Sequence, residues 1–256
     1  MDLGISGRTA LITGASKGIG LACAHSLARE GCNVHLASRT AADLEQEQAE
    51  LRAKYDVGVE IHPCDLSDGD AARALVASCA DADILVNNAG AIPAGHIHEI
   101  EESRWREAWD LKVFGYQNMC RAMLDSMRKR ESGVIINVIG AAGEAPRPGY
   151  IAGAAGNASI MALTRALGGN SREYGVRVVG INPGLIVTGR METLSRTWAE
   201  QRFGDPDRWR ETLDQTYPPG QPEHVSDMVA FLASDLSANT TGTIITIDGG
   251  SSARGS

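Results

Sequence analysis

Residues 9–20 read Thr9-Ala10-Leu11-Ile12-Thr13-Gly14-Ala15-Ser16-Lys17-Gly18-Ile19-Gly20, and a helical pattern continues from residue 19 to residue 30. A short apolar run thus ends in a turn with three glycines and passes straight into a helix. Glycines at 14, 18 and 20 permit a sharp turn and let backbone N–H groups approach an anion closely. The helix that follows points its positive end at the same place. Three glycines alone only mark a turn, but between a strand and a helix near the N-terminus they predict a pyrophosphate cradle.

The same alternation runs outward through the chain. Apolar runs at Thr9–Thr13, 33–37, Val59–Pro63, Ile84–Asn87, 134–139, 176–182 and 243–247 are separated by helical patterns at 19–30, 42–54, Gly69–Ser78, 102–130, 154–174 and 223–234. Most of the runs are apolar throughout, as strands covered on both faces are. Strand–helix repetition predicts an α/β fold: one doubly wound, Rossmann-type domain over residues 1–256, with a seven-stranded parallel sheet and helices on both faces. The stretch 190–221 breaks the pattern. It carries Trp198, Phe203, Trp209 and Tyr217 among many charges, and reads either as amphipathic surface helices or as a lid over a substrate. The final residues 251–256 are small and polar and are expected to be loose.

With 43% apolar and 22% charged residues the chain is an ordinary globular one, and its net charge of −8 disfavours a nucleic-acid partner. The five cysteines, Cys23, Cys32, Cys64, Cys79 and Cys120, show no C-x-x-C spacing. They predict neither a disulfide framework nor a metal site, and point to a reducing compartment. No charged-then-apolar leader and no run of about 20 apolar residues is present, so the expected location is cytoplasmic, away from membranes.

The turn has the spacing Thr-Gly-x-x-x-Gly-x-Gly. Asp65-Leu66 follows the third strand, Asn87-Asn88-Ala89-Gly90 ends the fourth, Asn182-Pro183-Gly184 follows the sixth with Thr188 beyond it, and Asp248-Gly249-Gly250 follows the last. In order and spacing these segments resemble the short-chain dehydrogenase/reductase family over nearly the whole chain. The resemblance implies a nicotinamide cofactor held by Gly14, Ser16, Lys17, Gly18, Ile19, Gly20, Ser38, Arg39, Asp65, Leu66, Asn88, Ala89, Gly90, Pro183, Gly184, Ile186 and Thr188. Family members that prefer NAD carry an acidic residue at the end of the second strand. Here that strand ends Ala37-Ser38-Arg39-Thr40. Arg39, with Lys17 nearby, suits a 2′-phosphate and predicts NADP(H). The resemblance also implies a homodimer or homotetramer paired through the helices at 102–130 and 154–174.

The family's usual catalytic Asn, Ser, Tyr and Lys are missing. Counted without gaps from Thr164-Arg165 and checked at Asn182-Pro183-Gly184, the Tyr position falls on Gly153 and the Lys position on Asn157. The Ser position falls on Gly140 and the Asn position on Lys112. The usual proton relay cannot operate. Lys112 and Tyr150 are the replacement candidates, with Asn157 in the same site. Glu144 and water remain alternatives, and His96 and His98 border the region. The run Ala152-Gly153-Ala154-Ala155-Gly156 permits close approach by a helix or by a ligand. Three functions stay open: an NADP(H)-dependent oxidoreductase acting on a small carbonyl or alcohol, a lyase or isomerase on the same fold, and a cofactor-binding protein without catalysis.

Overall fold

Strand β1 (Thr9–Thr13) meets water on neither face, because Ala10, Leu11 and Ile12 are all fully buried. The computed structural model, which describes residues 2–253, explains why. β1 lies between β2 (Asn33–Ser38) and β4 (Ile84–Asn87), with Leu11 paired to His35 on one side and to Leu85 on the other. β3 (Val59–Pro63), β5 (Gly133–Val138), β6 (Val176–Pro183) and β7 (Ile244–Ile247) complete a parallel sheet of order β3-β2-β1-β4-β5-β6-β7. The order reverses between β1 and β4, and the crevice opens at the carboxyl ends of those two strands.

Successive residues of β1 face opposite layers. Ala10 and Ile12 pack with Ala24 and Leu27 of α1 (Gly18–Arg29) and with Val225 and Val229 of α8 (Pro222–Ala233). Leu11 packs with Leu75 and Val76 of α3 (Gly69–Ser78) and with Met119 and Met123 of α5 (Gly115–Arg130). Each such Leu or Ile stabilises the fold by about 1.5–3 kcal/mol, so the two layers cannot separate cheaply from the sheet. α2 (Ala41–Lys54) covers the edge beside β3, and α6 (Ile151–Asn170) lies against β6. None of the described helices is long and apolar enough to cross a membrane.

Four sequence expectations change in detail. The stretch 102–130 is not one α-helix: α4 (Glu102–Trp109) and α5 are joined by a π-helical turn, Asp110–Phe114. A single widened turn leaves the apolar spacing almost intact, so periodicity does not reveal it. Helix α6 begins at Ile151, three residues early, and ends in a 3₁₀ turn, Ser171–Tyr174. The irregular stretch forms α7 (Gly189–Phe203) and a 3₁₀ segment, Pro206–Thr212. In it Trp209 and Phe203 pack on Met191 and Ala199, so these aromatics make the segment's own small core. At the C-terminus, Ser251 and Ser252 are not loose, because the Asp248 carboxylate accepts from the Ser251 hydroxyl and the Ser252 amide. Residues 254–256 lie outside the described residues.

Arg177 ties β6 to the end of α8. Its buried guanidinium donates to the carbonyls of Leu232 (2.8 Å), Ser234 (3.0 Å) and Thr240 (3.4 Å). Arg177→Ala strands those carbonyls and should lower stability by about 3 kcal/mol. The expected result is a lower urea midpoint with an unchanged far-ultraviolet spectrum at zero denaturant. A midpoint equal to the parent's would show that the guanidinium carries no such load.

Candidate active site

The Thr13 hydroxyl joins the two walls of the crevice. Its oxygen accepts from the backbone amides of Asn88 (2.9 Å) and Ala89 (3.1 Å), just past β4. The Asn88 side chain returns the contact, donating to the carbonyls of Thr13 and Gly14, each at 3.2 Å. Gly14 has φ +65°, and a Cβ at Gly20 would stand 2.5 Å from the Asn88 amide nitrogen and collide with the Gly14 carbonyl. The turn therefore closes only with glycine at these places. No side chain caps α1, whereas Asp68 caps α3 and Thr188 caps α7. The first-turn N–H groups of α1 are thus left for an anion from outside, and a dinucleotide pyrophosphate fits this cradle.

Other predicted cofactor residues surround the same crevice. Ile19 packs against the core, and Ser16 and Lys17 form the turn, with Lys17 exposed. Thr188 abuts Gly18, so the start of α7 closes one side of the turn. Arg39 is exposed at the end of β2, and the adjacent Ser38 hydroxyl is buried without a hydrogen-bond partner. Such an orphaned hydroxyl beside a cation suits the ribose end of a nucleotide. Hydrogen bonds from the Ser67 amide (3.0 Å) and hydroxyl (2.8 Å), with Arg39 nearby, hold the Asp65 carboxyl below its usual range. Leu66 is buried in the core beneath, and Gly90 borders the stem of Lys112. Pro183 ends β6, the Gly184 amide donates to Ile247, and buried Ile186 forms a bridge to Gly220.

Lys112 turns inward from the π-helical turn and is 8% exposed. Its Nζ donates to the Tyr116 hydroxyl (2.6 Å) and to the Val138 carbonyl at the end of β5 (2.8 Å), and lies 4.2 Å from the centre of the Tyr116 ring. The Tyr116 hydroxyl also donates to Val138 (2.7 Å). Burial, with the Arg190 charge nearby, brings the Lys112 pKa down to about 7. An ammonium has three donors, and two are engaged, so one remains for a further acceptor.

The room beside Gly140 and Gly153 is filled from within the chain. A Cβ at Gly140 (φ +142°) would stand 2.6 Å from the Asn157 amide nitrogen, so buried Asn157 occupies the room beside Gly140. A Cβ at Gly153 would collide with the ring of Tyr150. Tyr150 sits on the lead-in turn as the N-cap of α6, and its ring folds back over Gly153. Its hydroxyl is raised by burial, with Arg190 opposing the shift through its charge and a hydrogen bond. The Ala/Gly run admits a helix of the same chain: Trp109 donates to the Ala152 carbonyl (3.0 Å), and Trp109 and Val113 crowd Gly156.

Glu144 accepts from Asn182 (3.3 Å) and Thr246 (2.9 Å). His96 and His98 stack on each other near Gly149, with His98 exposed. Sequence reasoning missed two members of the site. Tyr116 lies four residues after Lys112, one turn along the rod, and that spacing was a readable signal. Arg190 lies in the irregular stretch and hydrogen-bonds the Ile92 carbonyl and Tyr150, contacts that no spacing announces.

The same architecture recurs in known proteins. The family model described as short chain dehydrogenase matches residues 8–199. The chain is 34% identical over 260 residues to oxidoreductase UcpA of Salmonella typhimurium, covering 96% of this chain and 95% of that protein. L-sorbose reductase from Gluconobacter frateurii, solved with NADPH and L-sorbose, superposes with a TM-score of 0.88 at 30% identity, covering 97% of this chain and 98% of that one. NAD⁺-bound xylitol dehydrogenase superposes with a TM-score of 0.89 at 28% identity, covering 96% and 100%. With these matches along nearly its whole length, the chain belongs to the short-chain dehydrogenase/reductase family of oxidoreductases.

Proposed function

We propose that this protein is an NADP(H)-dependent oxidoreductase of a small carbonyl or alcohol compound, with Lys112 handling the proton. The observation that carries this reading is the buried Lys112 ammonium at the carboxyl end of β5, two of its donors fixed and one left. Bound NADP(H) supplies or accepts the hydride. Lys112 gives one proton to the substrate oxygen during reduction and takes it back during oxidation. With a pKa of about 7, both its states are populated at neutral pH, which suits an acid that must also be a base. Tyr116 fixes the direction of the amine, accepting from it while donating to the Val138 carbonyl. Lys112 and Arg190 together favour negative charge on a substrate oxygen, and Tyr150 and Asn157 border the space it enters.

Lys17 and Arg39 support NADP(H) over NAD(H), as does the NADPH of the sorbose reductase, although xylitol dehydrogenase was solved with NAD⁺. In this reading residues 190–221 cover the substrate, and two or four copies assemble through α5 and α6, where Leu124, Leu163 and Leu167 line a groove. The protein works in the cytoplasm on a small molecule.

Arg39→Asp removes a phosphate partner and adds repulsion. NADP(H) affinity should fall at least tenfold and NAD(H) affinity should hold or rise, read by tryptophan fluorescence titration. Equal affinities of the parent for the two cofactors would refute the NADP(H) assignment. Lys112→Met should keep cofactor binding but lower kcat at least tenfold, about 1.4 kcal/mol of barrier, in a screen of ketoses, polyols and small ketones. Tyr116→Phe should lower kcat less and move its pH profile. Unchanged turnover in Lys112→Met would remove Lys112 from the chemistry.

The same lysine makes stability depend on pH. The unfolded chain keeps this proton up to about pH 10.4, whereas the folded chain loses it near pH 7. Between those values the unfolded state binds one more proton, so stability rises with pH. In urea titrations the parent should gain stability relative to Lys112→Met from about pH 7 to about pH 10. A difference independent of pH would mean that the folded chain holds the ammonium charged.

A further inference from the structure

Away from the crevice, the β2–β3 edge carries a second group of chemically active side chains that the reaction does not use. His35 on β2, His62 on β3 and Cys79 at the end of α3 converge under the sheet edge, their ligating atoms all within 4.8 Å of one another. His35 Nδ1 lies 2.8 Å from His62 Nε2, and Cys79 Sγ lies 3.4 Å from the first and 3.5 Å from the second. Three elements contribute one ligand each, so the arrangement is fixed by parallel pairing and by helix packing. His35 is paired to Leu11 and Glu60, and His62 to Ala37, which turns both rings toward the α3 layer where Cys79 is buried.

We propose that His35, His62 and Cys79 form a binding site for one zinc ion, completed by the Glu60 carboxylate. The distances carry the argument. Zinc–nitrogen bonds of about 2.0–2.1 Å and a zinc–sulfur bond of about 2.3 Å, set tetrahedrally, separate sulfur from nitrogen by about 3.6 Å and nitrogen from nitrogen by about 3.3 Å. The two sulfur–nitrogen edges already have that length, and the rings need to part by about 0.5 Å. Glu60 is on the open side, 68% exposed with Oε2 at 3.7 Å from His35 Nδ1, so a small swing brings it to the fourth corner. Two imidazoles, a thiolate and a carboxylate match zinc better than calcium or magnesium, which take oxygen ligands.

Binding balances simply. The Cys79 thiol releases its proton to solvent and becomes the thiolate ligand. The hydrogen that links the two rings in the metal-free chain moves to the outer nitrogen of its own ring. Both facing nitrogens then present lone pairs to the ion. No redox change is involved. The ion clamps β2, β3 and the end of α3 together, three residues below Ser38 and four below Arg39.

The test uses the untagged full chain, stripped with a chelator and titrated with Co²⁺ and then with Zn²⁺ against a chromophoric competitor. The expected result is one Co²⁺ per chain, with tetrahedral d–d bands and a thiolate-to-cobalt charge-transfer band that Zn²⁺ bleaches. Cys79→Ser should abolish the charge-transfer band. His62→Gln should weaken Zn²⁺ at least a hundredfold while the circular dichroism spectrum and NADP(H) binding stay as in the parent. Absence of stoichiometric binding in the parent overturns the proposal and leaves a hydrogen-bonded His–His–Cys cluster. So does a charge-transfer band that survives in Cys79→Ser, or unchanged Zn²⁺ affinity in His62→Gln.

Discussion

Two backbone amides converge on the single oxygen of Thr13, and the geometry of the crevice follows from that contact. β1 and β4 diverge after residues 13 and 87, and diverging strands leave their terminal N–H and C=O groups without ladder partners. The Thr13 hydroxyl accepts from Asn88 and Ala89, and the Asn88 amide donates to the Thr13 and Gly14 carbonyls. The orphaned groups are therefore satisfied across the gap, and the gap has one width. The glycine turn, the uncapped start of α1 and the position of Gly90 beside Lys112 are all set relative to this latch.

A buried polar ladder extends the same logic into the sheet. Asn87 of β4 donates to Asn137 of β5, its register partner, and Asn137 donates to Thr164 of α6, both at 2.9 Å. Amides buried this deeply are costly unless paired, so the ladder fixes how α6 lies on the strands. Once α6 is fixed, Asn157 must lie beside Gly140, and Gly153 faces the ring of Tyr150. Lys112 stands on the π-helical turn and Asn157 on α6, both buried. The Lys112 amine is held by the Val138 carbonyl and the Tyr116 hydroxyl.

The alternation of apolar runs with helical patterns determined the parallel sheet, because strands covered on both faces are mostly apolar and admit polar residues only where these find partners. The spacing of Gly14, Gly18 and Gly20 determined the tight turn between β1 and α1, where the chain touches itself and a side chain would collide or be strained. A gapless count placed Lys112, Gly140, Gly153 and Asn157 at the positions where the resemblance expects the family's relay. The glycine turn is written within a dozen residues, and the alternation and the count follow from order along the chain. Tertiary structure alone decided where side chains point. Lys112 turns inward instead of reaching solvent because a widened turn re-aims it and Gly90 leaves room for its stem. Tyr150 folds over Gly153 because Arg190, forty residues later, meets its hydroxyl. His35, His62 and Cys79 meet because parallel pairing aligns strands that the sequence separates by a helix, and contacts made across such distances leave no period in the sequence to read.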